Sequence, residues 1–476
     1  MTRKERIIDI PKHGIRAVDP RDGSLGQFAQ TGTLSRKEVV AIASQHLARE
    51  VVDLTRCRCF LLPFGTCSGF IAGSNEQPIT YDAAVTFKSL ELFAGAGGLG
   101  IGLAQAGFVP ELVVEFNRWC CDTLRENHTQ LDDGDLQAAW RVQEGDVRKV
   151  DFRVFEDRLD LISGGPPCQP FSLGGRHRAY DDTRDMFPQA VRAVREARPK
   201  AFVFENVKGL MRASFHDYFS YIHLQLEYPD VVARPEEDWT DHLKRLHKHK
   251  TSTDRSGLCY NVVTKLMNAA DFGVPQRRER VVFVGFRSDI DARWTPDDGD
   301  FTQEALVWDQ VYGDYWDRHG VPRDHRRLEG RAAQIAKRLS KDEKPGSKPW
   351  RTTRDAIFDL PDPRHFRRAE AVNGHRYQPG ARTYPGHTGS YLDEPAKTLK
   401  AGVHGVPGGE NMLRRADGSV RYFTVRESAR LQTFPDSYRF HGAWTECMRQ
   451  LGNAVPAELA RVVGEGVAGK LQAANG

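Results

Sequence analysis

No run of eighteen apolar residues occurs in the chain, which excludes a membrane-crossing helix on length alone. The most apolar candidate, Cys57 to Gly73, is broken by Arg58 and Pro63, and no apolar signal core follows the opening Met1-Thr2-Arg3-Lys4-Glu5-Arg6. The expected location is therefore inside a cell, in the cytoplasm. Cysteine is scarce as well. Eight cysteines scattered over 476 residues are too few for a disulfide scaffold and suit a reducing compartment. Cys57, Cys59 and Cys67 with His46 match no familiar zinc spacing and lie in an apolar run, so no metal site is expected. An excess of charge of one sign is also missing: a net +4 is too small to argue nucleic-acid binding by itself. There is no internal repeat and no long low-complexity tract.

What is present can bury a sizeable core, since 39% of the residues are hydrophobic and the length suggests two to three domains. From Phe87 to Phe286, short apolar runs alternate with helical patterns. The runs Leu90 to Phe93, Leu112 to Phe116, Leu161 to Ser163, Ala201 to Phe204 and Val281 to Phe286 read as strands. Leu99 to Ala106, Arg118 to Asn127, Phe187 to Glu196 and Tyr260 to Ala270 read as helices. This predicts an α/β fold, a mostly parallel Rossmann-like sheet with helices on both faces. No clean period is legible between Asp217 and Lys250, a stretch read as an insertion. Beyond Arg287 the composition shifts toward Pro, Gly, Asp and Arg, which reads as a second, smaller domain, until a helical pattern returns at Ala457 to Val467.

Two motifs carry the chemistry. Ser89 to Phe93 runs into Ala94-Gly95-Ala96-Gly97-Gly98-Leu99-Gly100, where Gly95, Gly97 and Gly100 fit the spacing of a loop that lets a nucleotide-like ligand approach the backbone. About twenty residues after Gly95, Glu115 ends the next apolar run, where a carboxylate can accept from ribose hydroxyls. This layout serves nicotinamide dinucleotides and S-adenosylmethionine alike. The second motif is Pro166-Pro167-Cys168-Gln169, directly after the run Leu161 to Ser163. Two prolines fix the backbone and remove two N–H donors, so the segment is a loop that presents the Cys168 thiol to a ligand. Glu205, after Phe202-Val203-Phe204, sits at a strand's carboxyl end, where parallel sheets bind ligands. Arg278 and Arg280 alternate ahead of Val281, so both side chains are expected on one face, with ion pairing to Glu279 or neighbouring acids as the plain alternative.

These blocks, together with Glu205-Asn206-Val207, Gln276-Arg277-Arg278-Glu279-Arg280, Arg426 to Leu431 and Gln450-Leu451-Gly452-Asn453-Ala454-Val455, occur in an order that resembles the DNA (cytosine-5)-methyltransferases. The resemblance runs from about Phe87 to about Gly464. It implies S-adenosyl-L-methionine as cofactor and double-stranded DNA as substrate. Phe93, Gly95, Gly97 and Gly98 would border the methionine part, Glu115 would bind the ribose, and Phe116 would stand where relatives often stack Trp on adenine. Asp146 would accept from the adenine amino group, or simply cap a turn. Val147, Pro167, Asn453 and Val455 would complete the cofactor pocket. Cys168 would attack carbon 6 of a flipped-out cytosine, and Glu205 would handle ring nitrogen 3, oriented with help from Asn206. Arg280 would touch the base, with Arg278 nearby. Phe171 to Arg178 would close over the target.

The division that follows is an N-terminal extension (1–85), a catalytic domain (86–288), a target-recognition domain (289–425) and a C-terminal segment (426–476) that returns to close the cofactor pocket. Between Arg318 and Arg354, 12 Lys or Arg stand against 4 Asp or Glu, and Lys244 to Lys250 forms another basic cluster; both are expected to lie in irregular stretches that meet phosphates. Ser35 to Val52 has helix-compatible spacing. A monomer acting on DNA is expected, in a bacterial restriction-modification setting with a separate endonuclease. Three rival readings remain open here: a transfer-RNA cytosine methyltransferase of the same fold, a non-catalytic DNA-binding relative and, from the glycine loop alone, a dehydrogenase.

Overall fold

The computed structural model describes residues 16–18, 25–27, 86–128, 140–167, 185–252, 257–385, 388–401 and 409–475. The chain divides at Ser74 into two units. In the first, Arg16–Val18 pairs antiparallel with Leu25–Gln27. The predicted helix Ser35 to Val52 and the Cys57–Cys67 cluster lie outside the described residues.

The second unit is built on seven strands: β1 (Phe87–Leu92), β2 (Phe108–Glu115), β3 (Val142–Glu144), β4 (Leu161–Gly164), β5 (Ala201–Val207), β6 (Tyr260–Asn268) and β7 (Glu279–Arg287), in the order β3-β2-β1-β4-β5-β7-β6. All neighbours are parallel except β7, which runs antiparallel to both β5 and β6. The order reverses between β1 and β4, so the crevice at their carboxyl ends is where an open α/β sheet takes a ligand. The glycine loop leaves β1 there, and the Pro-Pro segment leaves β4.

Period-two alternation sends the strands' side chains into two separate cores. Phe202, Phe204, Val281 and Phe283 pack with α3 (Phe187–Ala197) and α4 (His216–Glu227). Ala201, Val203, Val282 and Val284 pack with Leu99 and Leu103 of α1 (Gly98–Gln105) and with Leu459, Val463 and Val467 of the last helix, Ala457–Asn475. Gly102 lies so close to that helix that an added Cβ would stand 2.2 Å from the Ala457 carbonyl oxygen.

Two expectations fail here. The segment Tyr260 to Ala270, predicted as a helix, is strand β6, paired along its whole length with β7. Its apolar spacing fits either element, and β-branched Val262, Val263 and Thr264 with an available edge on β7 decide for the strand. The stretch 217–250, read as an insertion without period, holds two helices, α4 and α5 (Trp239–Thr251). In α4, Tyr218, Tyr221, Ile222, Leu224, Gln225 and Leu226 are all buried, because the helix is covered by β6 on one side and α5 on the other. Burial on two sides erases the single stripe that a sequence reading relies on.

Between Phe301 and Tyr422 short elements alternate with turns. The longest helix is Gln303–Tyr312, and Ser390–Tyr391, Met412–Arg414 and Val420–Tyr422 form a three-stranded sheet. The basic stretch Arg318 to Arg354 is only partly irregular, since Gly330–Ala336 is helical. The other basic cluster, Lys244 to Lys250, belongs to α5. Its cations meet nearby acids: Lys244 Nζ to Asp241 at 2.8 Å, Arg245 Nη2 to Glu237 at 2.7 Å and Lys250 Nζ to Glu227 at 2.8 Å. The last of these ties it to the end of α4. Among the described residues no helix is long and apolar enough to cross a membrane, and no group of three metal-ligating side chains is present.

Candidate active site

The loop after β1 turns through left-handed backbone: Phe93 has φ 55°, Gly95 55° and Gly97 83°. Glycine is required twice over in this stretch. At Gly97 the left-handed φ is joined by crowding, with an added Cβ only 2.8 Å from Leu124 Cδ2, and at Gly98 the added carbon would come 2.2 Å from the Val455 carbonyl oxygen. Gly95 has nothing within 4 Å of its Cβ direction and faces open space.

Glu115, at the end of β2, bridges the loop to its own strand. Its Oε2 accepts from Gly95 N at 2.8 Å, while Oε1 accepts from Phe116 N at 2.9 Å and Asn117 N at 2.7 Å. Phe116 follows with 77% of its surface exposed, the most exposed large hydrophobic side chain among the described residues. Asp146 caps the turn Val147–Lys149 by accepting from Arg148 N at 2.9 Å, and its carboxylate also pairs with the Arg148 guanidinium, which holds it down at about 2. Val147 is buried beneath that turn. Asn453 is exposed at the end of the helix Trp444–Asn453, and Val455 is buried against the glycine loop.

At the other side of the crevice Glu205 and Asn206 close β5. Asn206 Nδ2 donates to the Pro166 carbonyl at 3.0 Å, and Pro167, which is exposed, accepts from Met186 N at 3.1 Å. These bonds fix the backbone that leads to Cys168. Cys168 itself and the loop Phe171 to Arg178 lie outside the described residues.

Glu205 is 8% exposed, and an added Cβ on Gly165 would stand 3.1 Å from its Oε2. Arg280 Nε approaches Glu205 Oε1 at 2.5 Å, with both side chains nearly buried. Burial pushes the Glu205 carboxyl above the usual carboxylate range, and the charges of Arg280 and Arg278 oppose that rise without cancelling it. The result is a buried carboxyl that faces a guanidinium while burial favours its protonated form, and a group perturbed in this way in a cleft is a mark of functional sites.

Arg278, expected near Arg280, keeps its charge within reach of Glu205 and Arg280 but turns its guanidinium to other partners. It is 0% exposed, and its guanidinium donates to the carbonyls of Leu399 at 2.9 Å, Gly452 at 2.7 Å and Ala454 at 2.8 Å. It pins two distant segments to the start of β7, and its influence on Glu205 is through charge alone. The alternation that puts Arg278 and Arg280 on one face is a strand rule, and Arg278 precedes the strand by one residue.

Two residues near the glycine loop escaped the sequence reading. Glu91, within β1, is 2% exposed; Oε1 accepts from Gly100 N at 3.1 Å and Oε2 has no partner among the described residues. A charge inside the apolar run Leu90 to Phe93 was the available signal. Tyr438 donates to the Ala96 carbonyl at 2.7 Å from 342 positions away, and no local pattern announces such a contact.

The family model for C-5 cytosine-specific DNA methylase matches residues 87–228 and 240–468. Among curated relatives, the type II methyltransferase M.PspPI of Psychrobacter sp. is 32% identical over 404 residues, covering 84% of this chain and 83% of that protein. M.NgoMIV of Neisseria gonorrhoeae is 31% identical over 389 residues, covering 82% and 99%, and M.Eco47II of Escherichia coli is 31% identical over 395 residues, covering 82% and 80%. The matched span takes in both sides of the crevice, and the dehydrogenase reading falls. The chain belongs to the C-5 cytosine-specific DNA methylases.

Proposed function

We propose that this enzyme methylates carbon 5 of a cytosine within a specific DNA site, through a transient bond between Cys168 Sγ and carbon 6 of the base. The observation that carries the reading is the buried Glu205–Arg280 pair beside the Gly165–Pro166 backbone, since it brings a carboxyl whose protonated form burial favours up to the segment that leads to Cys168. Carbon 5 of cytosine is a poor nucleophile. Attack of the Cys168 thiolate on carbon 6 breaks the ring's aromaticity and moves electron density toward carbon 5 and nitrogen 3. Glu205 gives its proton, or a short hydrogen bond, to nitrogen 3 and offsets that charge, while Arg280 receives the carboxylate left behind. After methylation a base removes the carbon 5 proton, the C–H electron pair reforms the carbon 5–carbon 6 double bond as the carbon–sulfur bond breaks and the thiolate leaves, and nitrogen 3 returns its proton to Glu205.

The residues around the glycine loop fit S-adenosyl-L-methionine: open space at Gly95, an exposed Phe116 ring suited to stacking on adenine, and Glu115 carboxylate oxygens with lone pairs left for ribose hydroxyls. When bound, it supplies the methyl group. Phe93, Gly97, Gly98, Val147, Pro167, Asn453 and Val455 would line the rest of the pocket. The Asp146 carboxylate would have to serve adenine while paired with Arg148. Duplex DNA hides carbon 6, so the target cytosine leaves the stack. Residues 289–425 are assigned to target recognition and 426–476 to closing the catalytic domain. The type II names of the relatives support a bacterial restriction-modification role; a separate endonuclease, a cytoplasmic location and action as a monomer on DNA complete the proposal.

Bisulfite sequencing of DNA from cells expressing the chain tests activity and reports the site. Duplexes carrying 5-fluorocytosine at that site should then trap the wild type covalently, with no trapping and no methylation by Cys168→Ser. Absence of a covalent complex with the wild type would remove the mechanism.

A further inference from the structure

The glycine loop is held by three side chains from three places. Glu115 on β2 and Glu91 on β1 take the N–H groups of Gly95 and Gly100, at 2.8 and 3.1 Å. Both anchors are local, at 20 and 9 positions' separation. The third comes from the far end of the chain: Tyr438 Oη donates to the Ala96 carbonyl, at the centre of the left-handed turn. We infer that Tyr438 is a positioning residue for the methyl-donor site, which it serves by holding the turn Gly95–Gly97 in its binding shape through the Ala96 carbonyl. The inference rests on the reading of that loop as the S-adenosylmethionine site.

The tyrosine is itself over-determined, which is what a positioning role requires. Arg426, 1% exposed, donates from Nη2 to the Tyr438 carbonyl at 2.8 Å and from Nη1 to the Pro435 carbonyl at 2.9 Å. Its Nε holds the Asn373 carbonyl at 3.0 Å. The Tyr438 ring packs against Phe434 and Phe440, with centroids 5.1 and 5.3 Å away. His128 Nε2 lies 3.4 Å from the hydroxyl, and that imidazole stacks on Trp140 at 3.6 Å. Burial lowers the His128 pKa to about 3, so the ring is neutral; the phenol's hydrogen goes to the Ala96 carbonyl, which can only accept and lies at 2.7 Å against 3.4 Å for the imidazole nitrogen. The hydroxyl also crowds the turn, standing 3.1 Å from where a Cβ on Gly97 would be. Without the hydroxyl, a buried carbonyl in a turn of disfavoured φ loses its donor, and the loop is free to relax.

The test compares the wild type, Tyr438→Phe and Thr123→Val as full chains. Thr123 Oγ1 donates to Gln450 Oε1 at 2.8 Å and accepts from His441 N at 2.9 Å, bonds that hold the segment just after Tyr438 without reaching the loop itself. S-adenosylmethionine is titrated onto each by calorimetry, and KM for it and kcat are measured at saturating DNA. We expect Tyr438→Phe to raise both Kd and KM for the donor about tenfold, the size of one buried carbonyl left unpaired, with kcat unchanged. That split marks binding lost equally in the ground and transition states. Thr123→Val should melt earlier yet bind the donor as the wild type does. Wild-type affinity in Tyr438→Phe, or an equal loss in Thr123→Val, overturns the inference alone. A wild type that takes up no S-adenosylmethionine overturns the donor-site reading and this inference with it.

Discussion

The two sides of the crevice hold their carboxylates by opposite means. Glu115, on the glycine-loop side, is partly exposed and engaged by three backbone N–H groups, so it serves as a geometric fixture for the turn. Glu205, across the crevice, is buried and faces a guanidinium, so its protonation state is what the surroundings control. In the proposed reaction one side would select by shape and the other by charge. A glycine loop has little else to offer than backbone, whereas chemistry at a pyrimidine ring needs a proton at a chosen atom.

The comparison breaks most sharply at Glu205. Glu205→Gln keeps the shape and removes the titrating proton, and should slow methylation by roughly 10²–10⁴-fold while leaving S-adenosylmethionine and DNA affinity near wild type in binding assays. A wild-type single-turnover rate would show that shape suffices on that side too. Next in size is Arg278→Met, which removes the donor from three buried carbonyls and should destabilise the protein by about 3–5 kcal/mol in urea titration; a change below about 1 kcal/mol would show that the clamp is dispensable.

Glu91 adds a third kind of carboxyl to the comparison, buried without a charged partner, and burial raises its pKa from 4.5 to about 8. Between those values the folded state holds a proton that the unfolded chain has lost. Its contribution is therefore greatest below pH 4.5 and declines as pH rises toward 8, the reverse of a salt-bridged acid. Glu91→Gln should gain on the wild type across that window and level off above it, by up to a few kcal/mol at ~1.4 kcal/mol per unit. Melting curves at pH 5, 7 and 9 check this, and a constant offset would mean Glu91 stays ionised. The smallest effect is expected on the shape-selecting side: Phe116→Ala should weaken S-adenosylmethionine binding by about 0.5–1.5 kcal/mol, read as a rise in KM with kcat preserved.

Legibility followed the range of the interactions. Strands β1, β2, β4, β5 and β7 and helices α1 and α3 were read within a few residues, because each carries a local period or a glycine stop. Strand β6 was misread because its apolar spacing suits two elements and only β7 decides. The strand-end positions of Glu205, Arg280 and Glu115 were legible because each adjoins an apolar run. The burial of Arg278 and the reach of Tyr438 depend on segments more than a hundred positions away, which no window along the chain contains.

The closing helix Ala457–Asn475 has a consequence for biosynthesis. It covers the sheet face to which Leu99, Leu103, Val203 and Val284 contribute, all of them made long before it leaves the ribosome. Until then that face lacks the helix's cover, and Tyr438, which holds the Ala96 turn, itself emerges only shortly before. A translating chain of this topology depends on late contacts for its core, so it should lean on nascent-chain chaperones, and a stop codon before residue 457 should yield a product that proteases clear.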